Sequence, residues 1–437
     1  MKALLASFSA SAFCLAIVVP SNGGTGDVVL QKAPPLTIRQ APAYPENLAR
    51  YHFGAAVKAT PLTDSIASLQ LSSNGTDRNT SAAALLCDDP TTGFQIPAGV
   101  SNVLVSLANI ENIQQISFLN DGAQGDFTVS TSNADVPASS PQWRRVAQSS
   151  MSPGAVSIKV GPGEAKYVQL NLKITHPGRL AAFGVYATPA LSDFTMPRPR
   201  KVSFENESAT FALISSNLSD LHTRARGLYV SSGDAAQANN MIDDQPATSY
   251  KFAAGDAAPT AVIDLGRERS LTRLSATYAA QPGSVEFYVL SSLPLQDSAA
   301  SDVQQVANVG SGAELPPSLK ISEKTFATLK PVGSVVSAGE GRASVDFPQM
   351  VGRYVMIKWH PTAAQPDGFS IAQVAAFGVS NRDTTLQTDG KDGKEFYSGK
   401  EGKEPLGEGE APGEGPPPGL PPVPPFTFIP QVLPTSP

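Results

Sequence analysis

With only 4 histidines in 437 residues, internal repetition can be tested by comparing what surrounds each one. Asn47–His52 reads NLARYH and Asn217–His222 reads NLSDLH, with Asn, Leu and His in register. Leu172–Gly178 reads LKITHPG and Ile357–Pro361 reads IKWHP, so the histidines sort into two pairs with one of each kind per half. Between these anchors the agreement continues. Leu85–Phe94 (LLCDDPTTGF) answers Asn240–Tyr250 (NMIDDQPATSY), Val103–Phe118 answers Ala261–Ala276, Lys166–Leu172 (KYVQLNL) answers Arg353–Trp359 (RYVMIKW), and Leu180–Val185 (LAAFGV) answers Val374–Val379 (VAAFGV). Blocks repeated in the same order mean a duplicated structural unit. A single core would also be unusual at this length. The chain is read as two copies, residues 45–188 and 215–380.

Each copy reads as β structure. TAVIDLG, RYVMIKW and SVEFYVLSS are short, β-branched or aromatic runs, separated by clusters of Gly, Pro, Asn, Asp and Ser. Helical periodicity is confined to stretches near Asn217–Arg226 and Asp234–Met241. The expected fold class is all-β: two antiparallel jelly-roll β-sandwiches in tandem, with a disordered C-terminal tail. Around them, Met1-Lys2, the apolar run to Val19 and a small-residue exit read as a signal peptide over residues 1–23. Residues 24–44 read as a flexible N-terminal segment and 189–214 as a linker. Residues 381–437 turn to Lys, Glu and Gly and then to PPPGLPPVPP, a composition that cannot build a core.

Lys and Arg total 32 against 38 acids, and no basic run is interleaved with aromatics, so nucleic acid is excluded as a partner. Membrane contact is expected only through the leader, or through a lipid anchor at Cys14, for which the preceding Phe13 is a poor fit. Removal of the leader leaves Cys87 alone. It then forms no intramolecular disulfide and reads as a small buried hydrophobe.

The blocks Met241-Ile242-Asp243-Asp244 with Pro246 and Thr248, Val262–Gly266, Arg353-Tyr354-Val355, and Ile371–Val374 with Phe377-Gly378 resemble the discoidin, or coagulation factor 5/8 type C, domain of the galactose-binding-like superfamily. That resemblance implies eight-stranded antiparallel sandwiches whose end loops bind sugars, phospholipid heads or extracellular proteins. It also implies a calcium ion at the loop after the first strands. Here Asp243, Asp244, Thr248 and Gln373 form the candidate metal set, with Asp88, Asp89 and Thr91 their counterparts in the first copy. Calcium takes six to eight oxygens, which such a turn supplies. The set departs from the family where Gln373 replaces a glutamate and where RLAAFG in the first copy carries no acid. The competing reading is an Asp that caps its own turn.

Adjacent residues of an extended backbone face opposite ways, so Asp243 and Asp244 make a poor catalytic dyad. No hydrolase elbow, zinc helix, phosphate loop or Cys-x-x-Cys pair is present, and no enzyme is expected. His52 with His176, and His222 with His360, read as residues bound to local groups rather than as zinc ligands. Trp143 and Trp359 read as core or core-edge residues. The expectation is a secreted or periplasmic, cell-surface binding protein of bacterial type, its partner an extracellular glycan. The alternative is a scaffold that contacts an envelope protein, with the Pro-rich tail as tether or docking segment.

Overall fold

The computed structural model describes residues 27–60, 81–189, 198, 216–294, 315–362 and 368–378. The expected leader, nearly all of the linker and the C-terminal tail lie outside them. The described residues belong to one compact unit and are built almost wholly of antiparallel strands in two sheets.

Strand β1 (Val28–Lys32) precedes the first copy. That copy contains β2 (Ala56–Thr60), β3 (Gly93–Ile96), β4 (Gly99–Asp121), β5 (Gln124–Ser132), β6 (Arg144–Ser150), β7 (Gly154–His176) and β8 (Gly178–Ala187). Their order is β3-β8-β4-β7-β5-β6, with β2 on the free side of the first half of β4. The second copy contains β9 (Arg226–Val230), β10 (Tyr250–Lys251), β11 (Thr260–Tyr278), β12 (Pro282–Leu290), β13 (Ser318–Ile321), β14 (Gly333–Ala338), β15 (Arg342–Pro361) and β16 (Ser370–Gly378). Here the order is β13-β1-β9-β11-β15-β12-β14, and β16 joins β11 to β10.

The long strands let each sheet wrap around a core of its own. In β4 the inward residues are Val103, Val105, Leu107 and Ile113, then Ile116 and Phe118, so the odd-numbered set gives way to an even-numbered one. In β11 they are Ala261, Ile263, Leu265 and Leu271, then Leu274, Ala276 and Tyr278, with the same change of parity. A register shift lies at the change in both, between Ile113 and Gln115 and between Leu271 and Arg273. An extra residue in one strand reverses which side chains face in and sharpens the bend. A strand that crosses from one layer of a sandwich to the other needs both effects. The two copies therefore fold by the same device at the same place.

Both histidine neighbourhoods begin with an Asn that pins the copy's last strand. Asn47 Oδ1 accepts from Ala49 N and Val185 N (3.0 and 3.1 Å), and Asn217 Oδ1 accepts from Ser219 N and Ala376 N (both 2.9 Å). Leu48 N and Leu218 N donate to the carbonyls of Val185 and Ala376 in turn. Val185 is thus equivalent to Ala376, which corrects two alignments. LAAFGV and VAAFGV are offset by three residues in space, and Leu180 corresponds to Ile371, each facing the aromatic that follows its turn (Phe94, Tyr250). His360 lies where the first copy has Lys173, because Trp359 and Leu172 occupy matching inward positions. His176 is exposed beyond it and has no counterpart at His360.

Residues 27–44 of the expected flexible segment 24–44 correct a further expectation, because they carry structure. Strand β1 pairs with β13 on one side and β9 on the other, and Ile38–Ala43 forms a 3-10 helix. Val28 and Leu30 alternate with exposed Val29, so one face is apolar and requires a partner. Together with β13 and helix α1 (Glu323–Thr328) it covers the outer face of the second copy. There Leu30, Leu319, Ile321 and Phe326 pack on Tyr229, Val262, Tyr288, Tyr354 and Met356 in a third core. Trp359 is fully buried and stacks on Phe369 at 4.5 Å, as a core residue should, and Gly283 is required beside it because a Cβ there would sit 2.2 Å from the indole. Cys87 is buried, as expected of a small hydrophobe.

Leu30 is wholly buried and Val29 is 50 % exposed on the same strand. Leu30→Ala should cost about 2–4 kcal/mol and Val29→Ala no more than about 0.5 kcal/mol, read by urea unfolding. Equal, small effects would mean that β1 does not stabilise the second copy.

Candidate functional site

The Asp-Asp turns of both copies lie at the junction between them. Arg50, in the NLARYH block, is 1 % exposed and inserts its guanidinium between the copies. Its Nε donates to Asp244 Oδ2 (2.7 Å) and Nη2 to Asp244 Oδ1, while Nη1 donates to the carbonyls of Cys87 and Phe183 at 3.0 and 3.2 Å. Burial opposes this charge, but Asp244 with Asp88 behind it holds the guanidinium above its ordinary pKa. Tyr186 Oη donates to the Asp244 carbonyl at 2.7 Å, so side chain and backbone of the second-copy turn are both held by the first copy.

The first-copy turn is held in the opposite sense. Arg273 Nε donates to Asp89 Oδ2 (2.8 Å), and Asp88 Oδ2 accepts from Asn217 N (2.7 Å). Burial alone would raise the Asp89 carboxyl, but Arg273 and Thr91 hold it below its ordinary value. Asp89 and Asp244 are matching residues of the repeat, so each copy offers the same turn to an arginine of the other. The arginines themselves do not correspond: Arg50 stands where the second copy has Asp220, and Arg273 where the first has Gln115.

The expected calcium set is not assembled. Asp244 gives both oxygens to Arg50. Asp243 is fully buried and its carboxyl is pushed well above its ordinary pKa, chiefly by burial. Thr248 Oγ1 lies 2.9 and 2.8 Å from the two Asp243 oxygens and 2.9 Å from the Gln245 carbonyl, yet a hydroxyl has one proton to give. A protonated Asp243 resolves this by donating to Thr248, which then donates to Gln245. Gln245 N completes the turn by donating to Asp243 Oδ1. This is the self-capped turn. In the first copy Asp89 Oδ1 caps Thr91 in the same way, and Arg179 donates to the Thr91 carbonyl, setting a permanent cation against an oxygen of that turn. No group of three or more His, Cys, Asp or Glu residues able to hold a metal occurs among the described residues. The donors present do not fit calcium.

Three of the four histidines are held by a neighbouring acid or carbonyl. His222 sits between Asp220 Oδ1 and the Tyr44 carbonyl (3.1 Å each), His52 against Asp88 (3.1 Å) and His360 against Glu286 (3.0 Å). Trp143 donates from its indole to the Pro137 carbonyl.

The described residues also form two concavities of note. One, of about 80 Å³, lies at the junction and includes Pro90, Leu119 and Ala182 from the first copy and Asp244, Pro246, Thr277 and Gln373 from the second. The other is an open groove of about 380 Å³ on the outer face of the first copy, with Lys58, Ser106, Asp135, Lys166 and Tyr167 among its lining. Strand register makes Lys58 equivalent to Tyr229, Leu104 to Val262 and Tyr167 to Tyr354, so the groove lies on the face that β1, β13 and α1 cover in the second copy. Tyr167 belongs to strand β7, where nothing in the local pattern marks it as part of a concave surface.

Neither protein-family models nor curated protein sequences match this chain. Solved structures similar to parts of it include a fucosidase of Ruminococcus gnavus in complex with fucose (14% identity, 33% of this chain and 27% of that one, TM-score 0.26). Others are chitosan-binding module 1 of a Paenibacillus chitosanase/glucanase (19%, 32% and 99%, TM-score 0.25) and a fucolectin from striped bass (Morone saxatilis) serum (14%, 76% and 98%, TM-score 0.24). The chain spans about 27% of the length of the fucosidase. The fold assignment rests on strand pairing, not on these likenesses.

Two outcomes follow for the turns. Arg50→Met should cost about 3–5 kcal/mol, since it strands a buried carboxylate, and Asp244→Asn added to it should recover part of the loss in urea unfolding. For Asp243, whose folded pKa is raised, the stability contribution is full below the unfolded value of about 3.9 and is lost as pH rises through the folded one. Asp243→Asn should therefore raise stability at pH 7, a gain that shrinks towards pH 4. A pH-independent difference would mean that Asp243 is ionised in the fold.

Proposed function

We propose that this is a non-catalytic carbohydrate-binding protein and that the groove on the first copy is its glycan site. The observation that carries the reading is the contrast between equivalent faces. In the second copy the face is apolar and roofed by β1, β13 and α1. In the first it presents Lys58, Ser106, Asp135, Lys166 and half-buried Tyr167 to solvent in a concave surface. One aromatic face beside several donors and acceptors is suited to sugar, whose rings are apolar on their faces and polar at their rims. Two lysines against one aspartate leave the groove net positive, which favours glycans that carry carboxylate or sulfate groups.

The remaining assignments belong to the same reading. Residues 1–23 act as an export signal, so the protein meets its glycan outside the cytoplasm or at the cell surface, and the Pro-rich tail beyond residue 380 serves as a tether. The second copy supports the first rather than duplicating its site.

Native gels cast with neutral or uronate-containing polysaccharides would test this. The full chain should be retarded, more by the acidic polymers, and Tyr167→Ala should weaken binding about tenfold, roughly 1.4 kcal/mol. Unretarded migration in every polymer would sink the proposal.

A further inference from the structure

The groove of the first copy has a filled counterpart in the second. Ser106 lies opposite Tyr167 of β7 and Asp264 opposite Tyr354 of β15, so the two are equivalent, as are Lys166 and Arg353 just before the tyrosines. On the other side Ser106 pairs with Ala56 and Asp264 with Arg226. Gly54 and Arg224 each close a one-turn 3-10 helix in the left-handed region, at φ 87° and 72°. Where the first copy has Gly54, Ala56, Ser106 and Lys166, the second therefore has Arg224, Arg226, Asp264 and Arg353.

In the second copy this corner is electrostatically complete. Arg353 Nε and Nη2 donate to the two Asp264 oxygens, both at 2.8 Å, and Gly266 N donates to Oδ1 at 2.8 Å. The bonds to Asp264 hold the Arg353 guanidinium above its ordinary pKa. The first copy keeps the cation and lacks the acid. Lys166 is half-buried and lines the groove, yet no acid among the described residues is in ion-pair contact with it. Glu111, across the strand pair from the neighbouring Ala165, is taken by Arg198 at 2.6 Å. Ser106 reaches only the Ala56 carbonyl (3.3 Å), and Gly54 and Ala56 line the groove where the second copy carries two arginine side chains.

We infer that Lys166 is the anion subsite of the groove and that its ligand is the carboxylate of a uronic acid residue. The sugar carboxylate stands over Ser106, where Asp264 stands in the second copy, and accepts from Lys166 Nζ. Tyr167, next along the strand, offers the ring face on which the sugar lies. A neutral sugar gives this ammonium only ordinary hydrogen bonds, whereas a carboxylate forms the charge-assisted kind, roughly twice as strong. The second copy has no such subsite, because its own Asp264 fills the position. The inference rests on the carbohydrate reading of the groove and names the group by which the groove selects.

Ligand-observed NMR on the full chain would test it, with tetramers cut from pectate and alginate, the methyl esters of the same tetramers, and a sulfated maltotetraose as separate probes. A free acid should bind at least about tenfold more tightly than its ester, and Lys166→Gln should remove that preference. Ser106→Asp should also bring acid and ester to within about twofold of each other, because it gives Lys166 the internal partner that Arg353 has. If Ser106→Asp melts early, the acid-to-ester ratios of the unaltered protein and of Lys166→Gln decide. Equal binding of acid and ester, or no binding of either free acid, overturns the subsite. A preference that survives Lys166→Gln and falls with Lys58→Gln overturns the assignment to Lys166, and tighter binding of the sulfated probe overturns the carboxylate. Only unretarded migration in every polysaccharide gel removes the groove as well, so the subsite can fail while the groove stands.

Discussion

A guanidinium with almost no contact with water joins the two halves of this protein. Arg50 is affordable inside only because every direction in which it donates ends on an acceptor: the Asp244 carboxylate and the carbonyls of Cys87 and Phe183. Those acceptors come from both copies, so the cation is satisfied only when the two are docked. Arg273 imposes the same condition from the other side through Asp89. The junction is therefore selective about geometry in a way that an apolar interface is not. It also explains why the Asp-Asp turn recurs: its acids both cap the turn and reach the neighbouring copy, Asp89 doing both in the first copy while Asp243 caps and Asp244 reaches across in the second.

Duplication without identity shapes the rest. Both copies bend a long strand, β4 or β11, at the same bulge and anchor their last strand with the same Asn, because these choices close a sandwich. Faces not needed for closure have diverged. Where the second copy has Tyr229 beneath added strands, the first has exposed Lys58, while Ser130 and Gln169, which stand where the second copy has Tyr288 and Met356, are buried, Gln169 donating to the Ala138 carbonyl. A covered face stabilises and an open polar one can recognise, which divides labour between two units of one fold.

Much of the architecture was legible in the residues. The repeat, the all-β class, the turns between strands, the burial of Trp359 and the self-capping of the Asp turns follow from patterns within a dozen residues. The alignment of LAAFGV with VAAFGV failed because a short run of small residues slides along itself without penalty on paper, whereas the backbone bonds of Leu48 and Leu218 allow a single register. The N-terminal segment was misread because VVLQK is too short to declare itself a strand, and its partners lie far along the chain. The ligand types of a calcium loop are present in the turn, but the oxygens of Asp243, Asp244 and Thr248 are already engaged by the turn itself and by Arg50.

The sequence by itself determined the local conformations and the fact of duplication, since hydrophobic alternation, turn residues and Asp-Thr caps act over a few bonds. Tertiary structure alone decided which strand covers which face and which arginine meets which aspartate. Those outcomes depend on contacts between residues hundreds of positions apart, and nothing in the local pattern of either partner encodes the other.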